Sequence, residues 1–350
     1  MMKLTHIVMA CFLVGASTGM AVAQDSFAER SMPGPWGVAT SYPSDTVSGH
    51  AATDFARLLN EAGWQRDLAV PVFDVKGLPA SLLSGATSVP FALLFASDLA
   101  NDERILGLST RPYEVKSIAE AREMALLARP AYRTALGHRD LVLLAVIPWP
   151  PTGLWSRTQI SSPDNFTGMR IRTYDQSSKR VMEALGAEVV SLPIRDAFEQ
   201  ISRGALDGVM SSGDGAAGRA YAGSLPNFTA LQYAFPLSFL VARKDFLDRL
   251  TQPEQRAVFD AGLQTERLAW ERLPARVRQN YHAMNQLGVN VSDPVPQPVL
   301  DAVQHAAFNV SSRAMSMDYE TVRTLFELRG CIPSGRQICK SSNVGGNGER

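Results

Sequence analysis

Charge of neither sign predominates in this 350-residue sequence, in which 34 lysines and arginines face 34 aspartates and glutamates. The balance supplies no electrostatic pull toward nucleic acid or anionic lipid, so no nucleic-acid partner is expected. Long apolar runs are missing as well. The run from Ile7 to Val14 falls far short of the ~20 residues that cross a bilayer, and no later segment approaches that length. The mature chain is therefore not expected to span a membrane. Histidine and cysteine are scarce: His6, His50, His138, His282 and His305 are scattered, and the cysteines are Cys11, Cys331 and Cys339. None of these has metal-ligand spacing, and neither HExxH nor CxxC occurs, so no metal, cofactor or catalytic site is expected.

What is present begins with an export signal. Lys3 precedes the apolar run, and Ala21-Val22-Ala23 places small residues where a signal peptidase cuts, making Gln24 the first mature residue. Gly15, Ser17 and Gly19 interrupt the run and argue against a membrane anchor. Cys11 lies too early in it to displace cleavage after Ala23. In an oxidising periplasm Cys331 and Cys339, which enclose IPSGRQI, are expected to form a disulfide. The polar, Gly-rich KSSNVGGNGER beyond them reads as a loose end.

Strand and helix patterns alternate along the rest. Val38 to Tyr42 reads as a strand, and Ala52, Phe55, Leu59 and Ala62 recur at helical spacing. A strand is predicted over Leu68 to Phe73 and a helix over Ile118 to Leu136. LVLLAVI (Leu141 to Ile147) has the continuous apolar character of a buried parallel strand. From Pro253 to Gln286 the pattern is helical, with Pro274 expected to kink or divide it. The chain is therefore α/β, and roughly 325 mature residues favour two lobes over one core.

The richest segment is Asn165 to Ser212. Arg170 and Arg172 flank Ile171, so in a strand both guanidiniums leave one face while Met169, Ile171 and Thr173 leave the other. A helix around Val181 and Leu185, a strand Glu188 to Leu192, a helix Asp196 to Arg203 and a strand Leu206 to Met210 follow. Ligands of such sheets sit beyond the carboxyl ends of the strands.

The elements GMRIRT (Gly168 to Thr173), ALGAEVVSLP (Ala184 to Pro193) and GALDG (Gly204 to Gly208) resemble, in content and spacing, the GxKIRT, ALGAxPVxxP and GxxDG elements of the DctP-type solute-binding proteins of TRAP transporters. PWPPTGLWSR and the segment Phe239 to Gly262 extend the resemblance over roughly Pro90 to Gln286. It implies a two-lobed periplasmic binding protein of type II-like architecture, with crossing strands and a long helix spanning both lobes. The division expected is a signal peptide over 1–23, a first lobe over 24–152 with about 241–273, a second over 153–240 with about 274–330, and a disulfide-closed tail over 331–350.

The resemblance also implies a monomer that binds a small organic acid in the periplasm and delivers it to TRAP permease membrane subunits. The alternative on the same fold is a ligand-sensing partner of a membrane sensor kinase. The family arginine that holds the ligand carboxylate is Arg172 here, while Arg170 takes a lysine's place at the sheet edge or surface. Two family asparagines are replaced, by Ser211 and Ala242, leaving a less polar pocket in which Ser212 and Asp214 offer smaller groups. Trp155, Tyr174, Tyr233, Phe235 and Tyr42, at strand ends or crossing segments, are candidates to hold an apolar or aromatic ligand body, and Trp149 ends LVLLAVI. A monocarboxylate is the expected ligand.

Overall fold

The computed structural model describes residues 37–62, 72–75, 77–83, 89–100, 103–192 and 194–315. The predicted leader, the Cys331 and Cys339 pair and part of the predicted Leu68 to Phe73 strand lie outside them.

In chain order, β1 (Val38–Thr40), α1 (Val47–Glu61), β2 (Val72–Asp74), α2 (Leu78–Leu83), β3 (Phe91–Phe95), α3 (Ala96–Leu99), a 3-10 turn (Arg104–Thr110), α4 (Ile118–Gly137) and β4 (Leu141–Pro148) come first. The chain continues through β5 (Gly153–Ser156), β6 (Arg170–Thr173), α5 (Gln176–Ala184), β7 (Glu188–Ser191), α6 (Ile194–Ser202), β8 (Gly208–Ser211), α7 (Ala216–Ala222) and β9 (Asn227–Thr229). It ends in β10 (Leu237–Arg243), α8 (Lys244–Leu247), α9 (Gln252–Gln286), β11 (Asn290–Ser292) and α10 (Gln297–Met315). The starts of α1, α4 and α5 are fixed by Thr46, Ser117 and Asp175, whose side chains accept the backbone N–H groups of Gly49, Glu120 and Ser178.

Two sheets result, with strand orders β2-β1-β3-β10-β4 and β11-β9-β5-β8-β6-β7. In the first, β10 is the strand that runs against its neighbours; in the second, β5 does. The parallel strands of each sheet therefore present carboxyl ends at Thr40, Phe95 and Pro148, and at Thr173, Ser191 and Ser211. LVLLAVI runs in the direction of β1 and β3, yet its ladder is antiparallel, to β10 alone. Its continuous apolar character comes from burial on both faces, under α4 and under α1 and α9, and not from parallel pairing.

The chain passes between the sheets through the segments after β4 and before β10. These pair with each other: Trp149 N–H donates to Pro236 O (2.9 Å), Thr152 N–H to Ala234 O (2.9 Å) and Tyr233 N–H to Thr152 O (2.9 Å). The third connection is α9, which is not divided at Pro274. Its first half packs Val258 and Ala261 into the core of the first sheet, and Met284 enters a core of the second. Packing on both sides holds the helix through a residue without an amide hydrogen. Glu266 also accepts the β4 edge amide of Val146 (2.7 Å), which would otherwise face an unpaired side.

Gly262 sets how closely α9 lies on β4. A Cβ there would stand 2.9 Å from Leu144 O and 3.0 Å from Leu144 Cβ. The carbonyl belongs to a sheet strand and cannot yield, so Gly262→Ala is expected to lose about 1–2 kcal/mol in urea unfolding, overpacking outweighing the better helix propensity of alanine.

Candidate functional site

β6 separates its side chains as the alternation predicts. Ile171 is fully buried in the core formed with Leu154, Met210 and Val303. Arg170 and Arg172 leave the opposite face and meet different fates. Arg170 is exposed at the amino end, where it forks onto Asp207 (Nε to Oδ2 2.8 Å, Nη2 to Oδ1 2.8 Å) and donates to Gly204 O (2.8 Å). Arg172 is 5% exposed at the carboxyl end. Its Nε donates to Leu192 O just past β7 (2.7 Å) and its Nη1 to Met210 O in β8 (3.3 Å). The guanidinium thus lies across the ends of three adjacent parallel strands, and Nη2 has no partner among the described residues.

The charge is enclosed. Burial pushes the Arg172 pKa below the ordinary guanidinium value, opposed by Tyr221, Tyr42, Tyr174 and Asp98. Tyr221, on α7, is completely buried, and its hydroxyl, near Ser211 and Arg172, meets hydrogen-bond geometry with no described group. A buried hydroxyl beside a guanidinium whose Nη2 meets no described residue suits an anionic ligand.

Aromatic rings close the other side. Tyr42, Phe95 and Trp149 follow or end the parallel strands of the first sheet and pack edge to face, with centroids 4.8 Å apart for Tyr42 and Trp149 and 5.9 Å for Phe95 and Trp149. Phe95 also reaches Tyr174 of the second sheet (6.0 Å), whose hydroxyl meets Thr152 Oγ1 at 3.3 Å. The two walls therefore touch. Trp149 is steered by its Nε1 bond to Ser238 Oγ (2.9 Å).

Of the sequence candidates, Arg172, Tyr174, Tyr42 and Ser211 come together here, Ser211 Oγ accepting Gly213 N–H (3.1 Å). Trp155 does not line the cleft. It is fully buried against Tyr221 and Phe228, its ring filling the space a Cβ on Gly213 would take, 2.3 Å from Cζ2. Tyr233 lies in the core behind the cleft, 5.7 Å from Tyr113, and Phe235 is buried in the crossing segment. Ser212 is half-buried and forms no hydrogen bond with a described residue. Ala242 also falls elsewhere. It pairs with Phe91 and Val142 at the far end of the first sheet and belongs to its apolar core. Because β10 runs against its neighbours, the cleft end of that strand is Leu237 and Ser238.

Asp214 is not a pocket group either. It is 2% exposed and accepts from Val47 N–H (2.8 Å), Arg276 Nε (2.6 Å) and Asn280 Nδ2 (2.8 Å), joining α1, α9 and the loop after β8.

Three cleft groups escaped the sequence reading: Phe95, Asp98 and Tyr221. FALLF before Asp98 was a signal available for a strand end; Tyr221 had none. A shallow surface depression between α1 and β2 involves Arg57, already committed to Glu61 and Asp54, and lies apart from these groups. Among the described residues no helix is long and apolar enough to cross a membrane, and no group of three potential metal ligands occurs.

The model of the bacterial extracellular solute-binding proteins, family 7, matches residues 107–313. A solute-binding protein of Albidiferax ferrireducens is 26% identical over 140 residues, which is 39% of this chain and 41% of that protein's length. DctP7, a Bordetella pertussis extracytoplasmic solute receptor binding pyroglutamic acid, superposes with a TM-score of 0.77 at 21% identity, covering 84% of this chain and 99% of that one. A TRAP periplasmic solute-binding protein of Haemophilus influenzae with bound L-gulonate gives 0.76 at 14% identity, covering 84% and 98%. These likenesses establish the two-lobed α/β fold.

Proposed function

This chain belongs to family 7 of the bacterial extracellular solute-binding proteins, and from that premise we propose that it is a periplasmic receptor for a small monocarboxylate, which it hands to the membrane subunits of a TRAP permease. The observation that carries this reading is Arg172, buried across three strand ends with Nη2 bound to none of the described residues, beside the buried Tyr221 hydroxyl. A planar fork held by two carbonyls is preorganised for a carboxylate, so little side-chain entropy remains to be lost on binding.

The lobes divide at the crossing segments. The first comprises the sheet of β1 to β4 and β10 and the second that of β5 to β9 and β11, with α9 shared between them. Export is by the leader, with cleavage after Ala23, and the receptor acts as a monomer. Phe95 against Tyr174 and Asp214 against Val47 are contacts of a closed cleft. Opening requires the crossing segments and α9 to bend, which couples ligand binding to the shape a permease would read.

A single carboxylate fits better than two. Among the described residues, Arg172 is the one cation acting on each of Tyr42, Asp98, Tyr174 and Tyr221. A second buried carboxylate without a partner would cost several kcal/mol. The rings of Tyr42, Phe95, Trp149 and Tyr174 suit an apolar or ring-shaped body, each Å² of apolar surface removed from water contributing about 25 cal/mol. Pyroglutamic acid and gulonate, the ligands of the two similar receptors, each carry one carboxylate.

The test is a thermal-shift panel of mono- and dicarboxylates at one pH, followed by calorimetry. A monocarboxylate at 100 times its dissociation constant is expected to stabilise by about 2.7 kcal/mol, with succinate and malate giving no shift. Tight dicarboxylate binding with no monocarboxylate response would overturn the assignment.

A further inference from the structure

Asp98 stands on the first-sheet side of the cleft, just beyond the carboxyl end of β3. It lies in the turn of α3 that follows β3, three residues beyond Phe95, whose ring contacts Tyr42, Trp149 and Tyr174. Its side chain is accessible, and it forms neither a hydrogen bond nor an ion pair with any described residue. Its charge nevertheless acts on Tyr42 and Arg172, the two walls of the cleft. Crowding of protein around it pushes its pKa up to about 6, desolvation outweighing the attraction of Arg172. An acceptor-only group at the edge of a binding cleft, with no hydrogen-bond donor among the described residues, is open to a donor from a ligand.

We propose that Asp98 is the specificity-determining residue of the cleft: it selects, among monocarboxylates, those that carry an N–H donor (ammonium, amide or lactam) beside the carboxylate-bearing carbon. This rests on the receptor reading above. With Arg172 holding the anionic end, the opposite wall presents a carboxylate that repels a second anion and accepts a hydrogen bond from nitrogen. Dicarboxylates are excluded by like charge as well as by the lack of a second cation. A ligand with an ether or ester oxygen in place of N–H would turn a lone pair toward Asp98 and leave both acceptors unpaired, which is how polar sites reject close isosteres.

Calorimetry on wild type, Asp98→Leu and Asp98→Asn tests this with matched acids: L-pyroglutamate against its lactone isostere, 5-oxotetrahydrofuran-2-carboxylate, and L-proline against cyclopentanecarboxylate. Wild type is expected to prefer the N–H member of a pair by about tenfold or more, the range of a hydrogen bond to a charged group. Asp98→Leu should bring the ratio to within about twofold without weakening the isostere. Asp98→Asn, which keeps a carbonyl acceptor, should retain part of the preference for the lactam and lose it for the ammonium. Because Asp98 has no hydrogen bond to a described residue, all three proteins should unfold at similar temperatures. Monocarboxylate binding with a ratio unchanged in Asp98→Leu overturns this inference alone. No binding by any acid of this set or of the preceding panel overturns the receptor reading and this inference together.

Discussion

Arg172→Ala is expected to weaken monocarboxylate binding by about 2–5 kcal/mol, which calorimetry would read as a loss of roughly 30-fold to several thousandfold. The size follows from where the charge sits. A carboxylate closed into this cleft is stripped of water and compensated by the guanidinium, so truncation leaves an anion buried without a partner. Arg172→Lys keeps the charge, but one ammonium cannot meet the carbonyls of Leu192 and Met210 and still present a planar pair to the ligand. Its affinity should fall between wild type and the alanine variant. Arg170→Ala is the control. That residue is exposed on the same strand face, held by Asp207 and Gly204, and its loss should leave the affinity unchanged. Wild-type affinity in Arg172→Ala would remove this residue from the clamp.

Arg172 was legible because strand alternation is local: two arginines around an isoleucine share a face whatever the rest of the chain does. The direction in which a strand runs within its sheet is not local, and this is where the reading of residues after strands failed. Trp155 follows the start of β5, which runs against β8, so the cleft end of that strand is Gly153, opposite Ser211. Ala242 fails for the same reason on β10. In both cases the error was one of strand polarity, which only the pairing reveals. Asp98 escaped because the five apolar residues of β3 carry no periodicity that separates a short buried strand from a helix turn. The charge that acts on it is 74 positions away, as the difference between residues 172 and 98, and no local pattern links the two. The long helix was visible in outline, yet its continuity through Pro274 depends on packing against cores that its own sequence does not describe.

Asp214→Ala should lower the unfolding temperature by roughly 4–7 °C, from a loss of about 3–5 kcal/mol at about 1.5 °C per kcal/mol for a chain of this size. The carboxylate is buried and accepts three hydrogen bonds from three different elements: the first amide of α1, and Arg276 and Asn280 one turn apart on α9. Removing it leaves Arg276 with the carbonyl of Asp45 as its remaining hydrogen-bond partner, and leaves the Val47 amide and the Asn280 side chain unpaired. Asp214→Asn keeps an acceptor of similar volume but not the charge, so its loss should be smaller, with the Arg276 contact the part that is missing. A second readout separates a joint between lobes from an ordinary core interaction. α1 packs on the first sheet, whereas Asp214 follows β8 of the second. Loosening the joint should therefore favour the open form, raising the radius of gyration of the unliganded protein in small-angle scattering and weakening monocarboxylate binding, although Asp214 touches none of the cleft groups. An unchanged melting temperature would show that the network contributes nothing net to stability. A lower melting temperature with unaltered dimensions and affinity would assign Asp214 to holding the fold, with closure governed by the aromatic contact of Phe95 with Tyr174.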